Sequence, residues 1–180
     1  MNSLSAEALN VVLEHEGFGK YTDDPADPGG ATKWGISLRF LRSLDDFAGD
    51  IDGDGDVDAD DVKALTKPKA AALYEREFWD KYGYGKIFYT GVAIKIFDLC
   101  VNMGPRGAHR VVQRALRASG HHVIEDGILG PNTLTAINFV SGPLLLVGLR
   151  SEAAGYYRTL VARKPVREKY INGWLARAYT

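Results

Sequence analysis

The sequence predicts a mainly α-helical protein with at most one short β-hairpin. Apolar residues recur at helical spacing along most of the 180 residues. Turn-forming Asp, Pro and Gly concentrate in residues 17–37, which leaves space there for only a short hairpin. Little strand signal is visible elsewhere, and no repeat of solenoid length occurs. Helices are therefore expected to build the core.

The first part of the chain is predicted to contain short helices separated by turns. Residues 4–16 carry an apolar face and are followed by Gly17, which ends the helix. Residues 36–44 predict a second, short helix. An acidic segment at residues 45–61 interrupts it, and helix resumes at residues 61–65.

The remainder of the chain is predicted to be almost entirely helical. Thr66 with Pro68 just inside is a strong helix start. The segment 92–103 is apolar on most sides, so it is expected to be buried, and its Cys100 is expected to act as a small buried hydrophobe. The predicted helices are residues 70–82, 92–103, 108–119, 132–140, 143–163 and 166–179.

Composition and sorting signals predict one compact protein made in the cytoplasm. Apolar residues make up 46% and charged residues 25% of the chain, as in ordinary globular domains. No apolar run approaches the roughly 20 residues of a membrane span, and no secretory signal is visible. A single cysteine excludes an internal disulfide. We expect two closely packed halves, 1–90 and 91–180, the first with an insertion at 45–62.

The charge is distributed unevenly. Residues 45–61 hold nine Asp and no Lys or Arg, which leaves 14 acidic against 22 basic residues in the rest of the chain. After Val101 there are 11 basic and four acidic residues. Such a basic half favours an anionic partner, although a merely solvated surface is the alternative. The arginines of residues 106–117 follow one side of a predicted helix.

Glu16 is the first candidate catalytic residue. It ends the first predicted helix, where the negative end of the helix dipole and partial burial both disfavour ionisation of a carboxylate. A carboxyl group in such a place could hold a proton near neutral pH, as a general acid must. The turn-rich stretch that follows supplies Asp23, Asp24, Asp27 and Thr32 as partners. A second carboxylate could stabilise an oxocarbenium-like state or orient a water molecule.

The sequence around Glu16 resembles that of a known protein family. E-G-F-G-K-Y at 16–21, followed by D-P-A-D-P-G-G-A-T-K-W-G-I-S at 24–37, is similar to the opening signature of glycoside hydrolase family 108. The resemblance continues in A-A-A-L-Y-E-R-E-F-W at 70–79 and V-A-I-K-I-F-D-L-C-V-N-M-G-P at 92–105. It reaches the peptidoglycan-associated half through D-G-I-L-G-P-N-T at 126–133.

The resemblance implies a lysozyme-like helical fold and an N-acetylmuramidase. The expected reaction is cleavage of the β-1,4 bond between N-acetylmuramic acid and N-acetylglucosamine, with Glu16 as proton donor. Asp27 with Thr32 is the preferred choice for holding the nucleophilic water, and Asp24 is the rival. The spacing of these residues does not reproduce the Glu, Asp, Thr trio of related phage lysozymes.

Three further residues are candidates for substrate binding. Trp34 lies in the matched segment, where its ring could stack on a sugar, although aromatic side chains more often pack in cores or lids. Asp98 and Asn102 are four residues apart and share a helix face. They could line the cleft or buttress the catalytic turn, and the sequence leaves both roles open.

The acidic insertion matches the template of a calcium-binding loop. Residues 50–61 place Asp at template positions 1, 3, 5, 9 and 12, Gly55 at position 6 and Val57 at position 8. Asp at position 12, in place of the usual Glu, resembles dockerin loops. We expect a structural calcium ion, the alternative being a disordered acidic linker. The candidate ligands are Asp50, Asp52, Asp54, Asp56, Asp58 and Asp61.

The expected protein is an endolysin-type peptidoglycan hydrolase. It would be made in the host cytoplasm and act on the cell wall after release by a separate membrane-permeabilising protein. We expect a monomer that binds peptidoglycan, does not bind nucleic acid and does not insert stably into a membrane. The alternatives are a lytic transglycosylase, a non-catalytic peptidoglycan-binding module and a dockerin-like interaction protein, although dockerins carry paired loops.

Overall fold

The protein was analysed as a computed structural model, which describes residues 3–16, 19–24, 29–45 and 47–180. The chain divides into two compact units. One is Leu9–Arg76, here called the turn unit. The other combines Glu77–Thr180 with the start of the first helix and is here called the helical unit.

Helices account for most of the described chain, and the strands found there form one antiparallel pair. The prediction of a mainly α fold with a short hairpin is confirmed. The α-helices are α1 Ser3–His15, α2 Leu38–Leu41, α3 Ala59–Ala64, α4 Lys67–Tyr74, α5 Thr90–Met103, α6 Pro105–Ala118, α7 Pro131–Phe139, α8 Gly142–Arg163 and α9 Ile171–Tyr179. The strands are β1 Thr32–Lys33 and β2 Ile36–Ser37.

The turn unit is built from short elements whose ends are closed by side chains. Ser37 caps α2 by accepting the Phe40 N–H at 3.2 Å, and Thr66 caps α4 by accepting the Lys69 N–H at 3.4 Å. Asp58 and Asp61 form a capping box at α3. These caps satisfy N–H groups that the first turn of a helix leaves without partners.

One predicted helix boundary in this region is wrong, and one predicted helix is not α-helical throughout its length. Residues 36–37 were expected to begin a helix, but they form β2, because Ser37 is extended and starts α2 as its N-cap. Residues 70–82 were expected to form one regular helix. The structure instead ends α4 at Tyr74 and continues with a π-helical segment, Glu75–Asp80. Apolar spacing identifies such segments as helical without fixing where the hydrogen-bond pattern changes.

The helical unit has the apolar core that its sequence predicts. The buried faces of α5, α6 and α8 meet there, with Leu99, Leu116 and Leu149 fully inaccessible to solvent. Trp79 packs edge-to-face on Phe97, with ring centroids 5.4 Å apart. Cys100 is buried as expected, and burial raises the pKa of its thiol to about 12. This core gives α6 and α8 fixed positions.

The loop between α6 and α7 is fastened to α6 by buried polar groups. The Gln113 side chain donates to Asp126 at 2.7 Å and accepts the Gly127 N–H at 2.8 Å. Buried His109 contacts the hydroxyl of Tyr84 at 2.9 Å and the Gly127 carbonyl at 3.3 Å. Because buried polar groups need partners, these bonds hold the D-G-I-L-G segment in one place.

Within the described residues, no single helix is long and apolar enough to cross a membrane. Helices α7 and α8 reach that length and composition only when taken together, across a bend of 118°.

Candidate active site

Glu16 lies at the end of α1, where the sequence predicts it. Its backbone N–H donates to the Val12 carbonyl at 3.0 Å, so the residue continues the helical hydrogen-bond pattern by one step. The residue is half-buried. A carboxyl group in this position can be fixed by neighbours on one side while another part stays accessible.

The β-hairpin brings an unusual turn to Glu16. Pairing of Thr32 with Ser37 and of Lys33 with Ile36 leaves Trp34 and Gly35 as a two-residue turn. Both have positive φ, 56° at Trp34 and 72° at Gly35, as a type I′ turn requires. Tryptophan is rare in this conformation, which costs a non-glycine residue about 1–3 kcal/mol and occurs most often at functional sites.

Gly35 is in direct contact with the Glu16 carboxylate. A β-carbon at residue 35 would lie 2.4 Å from Glu16 Oε2 and 2.6 Å from the Tyr74 hydroxyl oxygen. Both distances are below 3.0 Å, so a side chain at residue 35 would force the Glu16 carboxylate or the Tyr74 hydroxyl to move. Gly35 is thus required both for its positive φ and for the space it leaves.

Tyr74 holds the turn in place. Its side chain is buried on α4, and its hydroxyl donates to the Trp34 carbonyl at 2.9 Å. The Glu16 carboxylate and the Tyr74 hydroxyl therefore approach the same glycine. The apolar spacing of residues 70–82 predicts Tyr74 only as part of the apolar face of a helix. A buried tyrosine needs a hydrogen-bond partner, and that need was the available signal for a second role.

The Trp34 side chain is fixed by a second glycine. A β-carbon at Gly19 would lie 2.3 Å from Cε2 of the indole ring, and Gly19 has a φ of 80°. The ring therefore rests directly on the Gly19 backbone, and Trp34 stays half-buried. Sugar stacking on its accessible surface stays a prediction.

The structure describes two of the three residues that are predicted to assist Glu16, Thr32 and Asp24. Thr32 pairs with Thr22 through two backbone hydrogen bonds of 2.8 and 2.9 Å, and its hydroxyl donates to the Gly30 carbonyl at 3.0 Å. Asp24 is exposed. Asp27 lies outside the described residues. The roles of these three residues in catalysis stay predictions.

Asp98 and Asn102 belong to the helical unit. Asp98 is 2% exposed and accepts hydrogen bonds from Arg177 at 3.0 and 2.8 Å. Asn102 accepts the Tyr157 hydroxyl at 2.7 Å and lines a surface pocket. The ion pair joins Asp98 of α5 to Arg177 of α9. Lining the cleft and buttressing the catalytic turn both stay predictions for Asp98 and Asn102.

The six aspartates of the acidic loop gather in two groups. One consists of Asp50, Asp52 and Asp54, and the other of Asp56, Asp58 and Asp61, and in each group one carboxylate oxygen per residue lies within 4.8 Å of the others. Desolvation and the charge of Asp54 raise the pKa of Asp52. The charge of Asp54 and desolvation raise the pKa of Asp56. The loop therefore concentrates like charges that repel one another.

Backbone hydrogen bonds give this loop a defined form. Asp50 accepts the N–H groups of Gly53 at 2.7 Å and Gly55 at 3.0 Å. Asp61 is buried and accepts three N–H groups from the loop. Burial acts to raise the pKa of Asp61, but these hydrogen bonds outweigh it and lower the pKa.

Basic residues of neighbouring elements also bind the loop. Arg42 donates to the Val57 carbonyl at 2.9 Å, and Lys69 donates to the Ile51 carbonyl at 2.8 Å. The insertion is thereby attached to α4 and to the segment after α2 within the turn unit.

Comparison with protein families identifies two matching regions. The family model described as glycosyl hydrolase 108 matches residues 9–104. The one described as a predicted peptidoglycan domain matches residues 107–179. No curated protein matches the chain.

Among solved structures, the chain is similar to SagA of Brucella abortus. The two share 28% sequence identity with a TM-score of 0.71. The alignment covers 97% of this chain and 88% of SagA. The similarity therefore includes both family regions.

Proposed function

The chain belongs to the glycosyl hydrolase 108 family and carries a peptidoglycan domain, and we propose that it is an N-acetylmuramidase with Glu16 as its general acid. Family membership makes it a glycoside hydrolase that acts on peptidoglycan. The proposal adds the bond, which is the β-1,4 link from N-acetylmuramic acid to N-acetylglucosamine. The contact of Gly35 with the Glu16 side chain, in a turn that Tyr74 holds through the Trp34 carbonyl, supports it most strongly.

The hairpin turn restricts the position of the proposed acid. Gly35 lies against one face of the Glu16 side chain, and Tyr74 fixes the turn through the Trp34 carbonyl. A general acid must approach the glycosidic oxygen at hydrogen-bond distance, and an error of about 1 Å can cost a factor of 10² in rate. Tyr74 and Gly35 are thus positioning residues, whereas Glu16 donates the proton.

The second part of the reaction needs a water molecule or a nucleophile on the other face of the sugar ring. We propose Asp27 with Thr32 for this role and Asp24 as the alternative. The Thr32 hydroxyl donates to Gly30, which leaves its oxygen lone pairs able to accept a hydrogen bond from water.

A turbidity assay on purified peptidoglycan tests the role of Glu16. We expect wild type to clear the suspension and Glu16→Gln to do so at least about 10²-fold more slowly, as for loss of a general acid. Glu14→Gln is the matched control, because Glu14 is an exposed glutamate of the same helix. Asp27→Asn and Asp24→Asn then compare the two candidate helpers. Normal clearing by Glu16→Gln would refute the assignment.

The chemical nature of the products tests the reaction type. Mass spectrometry of the released fragments should show reducing N-acetylmuramic acid ends, because hydrolysis adds water across the bond. Anhydro ends would instead identify a lytic transglycosylase. Tight wall binding without any released fragment would identify a binding module.

We also propose that the acidic loop holds one calcium ion with a structural role. The available donors are oxygens, which suit a hard cation, and the loop is already folded into two groups of three carboxylates. Asp61 has about four acceptor sites, of which three receive N–H groups, so we expect it to give at most one bond to the metal. Calcium would neutralise the repulsion within the loop.

A further inference from the structure

Four arginines of the helical unit surround one pocket of about 380 Å³. Arg106, Arg110 and Arg114 lie four residues apart, so they follow one side of α6. Arg163 is the last residue of α8 and completes the set. The lining also includes the hydroxyl-bearing residues Tyr156 and Thr159 and contains no acidic residue. We call this the arginine pocket.

Two glycines let the side chains of the arginine pocket pack closely. A β-carbon at Gly127 would lie 2.7 Å from Arg106 Cγ and 3.3 Å from Arg110 Cγ. The aliphatic parts of both arginines therefore rest on the loop that buried polar groups fasten to α6. On α6 itself, the absence of a side chain at Gly107 leaves space for the Tyr156 hydroxyl, 3.2 Å from where a β-carbon would be.

The positive charge in the arginine pocket is only partly neutralised. Glu125 pairs with Arg114 at 2.6 Å and, outside the pocket, with Arg117 at 3.7 Å. Among the described residues, no ion pair or hydrogen bond joins a carboxylate to Arg106, Arg110 or Arg163.

The incomplete neutralisation of positive charge is clearest at Arg110. Its Nε is buried and has no hydrogen-bond partner within the part of the chain that the structure describes. The nearby Asp126 carboxylate is occupied by Gln113 at 2.7 Å and by the Ile128 N–H at 2.8 Å. A buried guanidinium N–H without a partner is unfavourable, so the described part of the protein leaves the Arg110 charge incompletely compensated.

We propose that the arginine pocket binds free carboxylates of the peptide stems of peptidoglycan. This rests on the proposed function, because it names a part of the same substrate that the pocket recognises. A guanidinium group matches the planar, two-oxygen geometry of a carboxylate. A stem peptide carries more than one free carboxylate on an otherwise neutral glycan, so several arginines can be used at once.

An adjoining pocket of about 480 Å³ favours a peptide attached to sugar over a small free anion. It shares Tyr156 and Leu160 with the arginine pocket. Its wall carries Trp174, with Tyr157 stacked on it at 5.3 Å and Tyr170 tilted against it at 5.6 Å. Aromatic faces of this kind can receive the apolar side of a sugar or peptide.

The test is a calorimetric titration of the full chain with the disaccharide tetrapeptide N-acetylglucosaminyl-N-acetylmuramyl-peptide. This probe lacks the bond that a muramidase cleaves, so binding is measured without turnover. Arg110→Gln and Arg163→Gln should each raise the dissociation constant about tenfold or more. Arg117→Gln is the matched control, because it removes the same charge from α6 outside the pocket, and it should change the constant less than about twofold.

Three further probes identify the group that is bound. The disaccharide without peptide should bind all variants equally. A tetrapeptide probe with amidated carboxyl groups should bind wild type at least as weakly as the natural probe binds Arg163→Gln. Inorganic phosphate should not displace the natural probe. Displacement by phosphate, or wild-type affinity in both pocket variants, would overturn the proposal.

Stability and activity controls separate this proposal from the proposed function. If Arg110→Gln does not fold, the binding measured for Arg163→Gln tests the proposal. Arg163 is exposed at the end of a helix, so its substitution should leave the fold intact. The pocket variants should cleave peptide-free glycan at the wild-type rate. If wild type cleaves no glycan, the proposed function fails, whereas unchanged binding by the pocket variants overturns only the role of the pocket.

Discussion

The turn unit and the helical unit maintain their structures in different ways. In the turn unit, short helices and a two-residue turn are held by caps, by hydrogen bonds to carboxylates and by backbone contacts at Gly19 and Gly35. In the helical unit, long helices pack apolar faces against one another. The candidate acid lies in the first unit and the arginine pocket in the second.

This difference suggests that the two units are suited to different tasks, one to positioning a single carboxyl group and the other to presenting a charged surface. Fixing one carboxyl group requires close backbone approach, which glycine and unusual φ values provide. Presenting a broad charged surface requires only a rigid support, which packed helices provide. We therefore expect small changes in the turn unit to alter activity more than stability.

Gly35→Ala should give the largest effect among substitutions that leave Glu16 itself intact. An added methyl group would collide with the Glu16 carboxylate and the Tyr74 hydroxyl, so we expect a loss of activity of about a hundredfold or more. The measurement is the rate of peptidoglycan clearing.

Gly30→Ala is the matched control for this substitution. Gly30 has a φ of 73°, nearly the 72° of Gly35, but its nearest neighbour to an added β-carbon is Leu38 Cβ at 3.7 Å. The backbone strain is therefore the same and the collision is absent. Equal losses of activity in both variants would show that strain, and not contact with Glu16, is responsible.

Calcium removal should have the next largest effect, which we expect on the stability and activity of the turn unit. If calcium is present at 100 times its dissociation constant, chelation should lower the free energy of unfolding by about 2.7 kcal/mol. Melting temperature and activity should fall together. Asp50→Asn should mimic chelation, whereas Asp60→Asn, at an exposed position in the first turn of α3 that is not a predicted ligand, should not. Identical melting curves with calcium and with chelator would exclude the site.

A smaller effect, a dependence of folding stability on pH, is expected from the helical unit. Buried Lys95 donates to the Arg177 carbonyl at 2.5 Å. Burial lowers the pKa of Lys95 to about 8, and the charges of Arg150 and Arg177 act in the same direction, against the opposing effect of Asp98. The unfolded value is about 10.4. Between these values the unfolded chain binds more protons, so the stability of the folded chain rises with pH.

Lys95→Met should remove this dependence. Urea unfolding at about pH 7.5 and pH 9.5 should show wild type gaining roughly 1–2 kcal/mol over the variant at the higher pH. Below about pH 7 the difference should be constant, because the lysine is then charged in both states. Lys164→Met, at an exposed lysine of the same unit, keeps Lys95 and should therefore gain as much stability with pH as wild type. A gain with pH that is equal in wild type and in Lys95→Met would exclude the titration of Lys95.

Local patterns in the sequence predicted much of this structure. Helix periodicity located the helices of the core, and the Gly-rich motif located the hairpin beside Glu16. Both depend on residues that are close in sequence.

Contacts between distant residues could not be predicted in the same way. Tyr74 reaches the turn from 40 residues away, and Arg177 reaches Asp98 from 79 residues away. No local spacing encodes such pairs, because they depend on how whole helices pack. The start of α2 after Ser37 was also missed. In a short run, an N-cap residue and an apolar helix residue can be neighbours, so the apolar pattern does not show where the helix begins.

The most direct test of the account is the rate at which Glu16→Gln forms new reducing ends on purified peptidoglycan. The account predicts a rate at least about 10²-fold below wild type with an unchanged melting temperature, and a normal rate for Glu14→Gln. A wild-type rate for a folded Glu16→Gln enzyme would contradict it, because the hairpin turn would then position a carboxyl group that the reaction does not use.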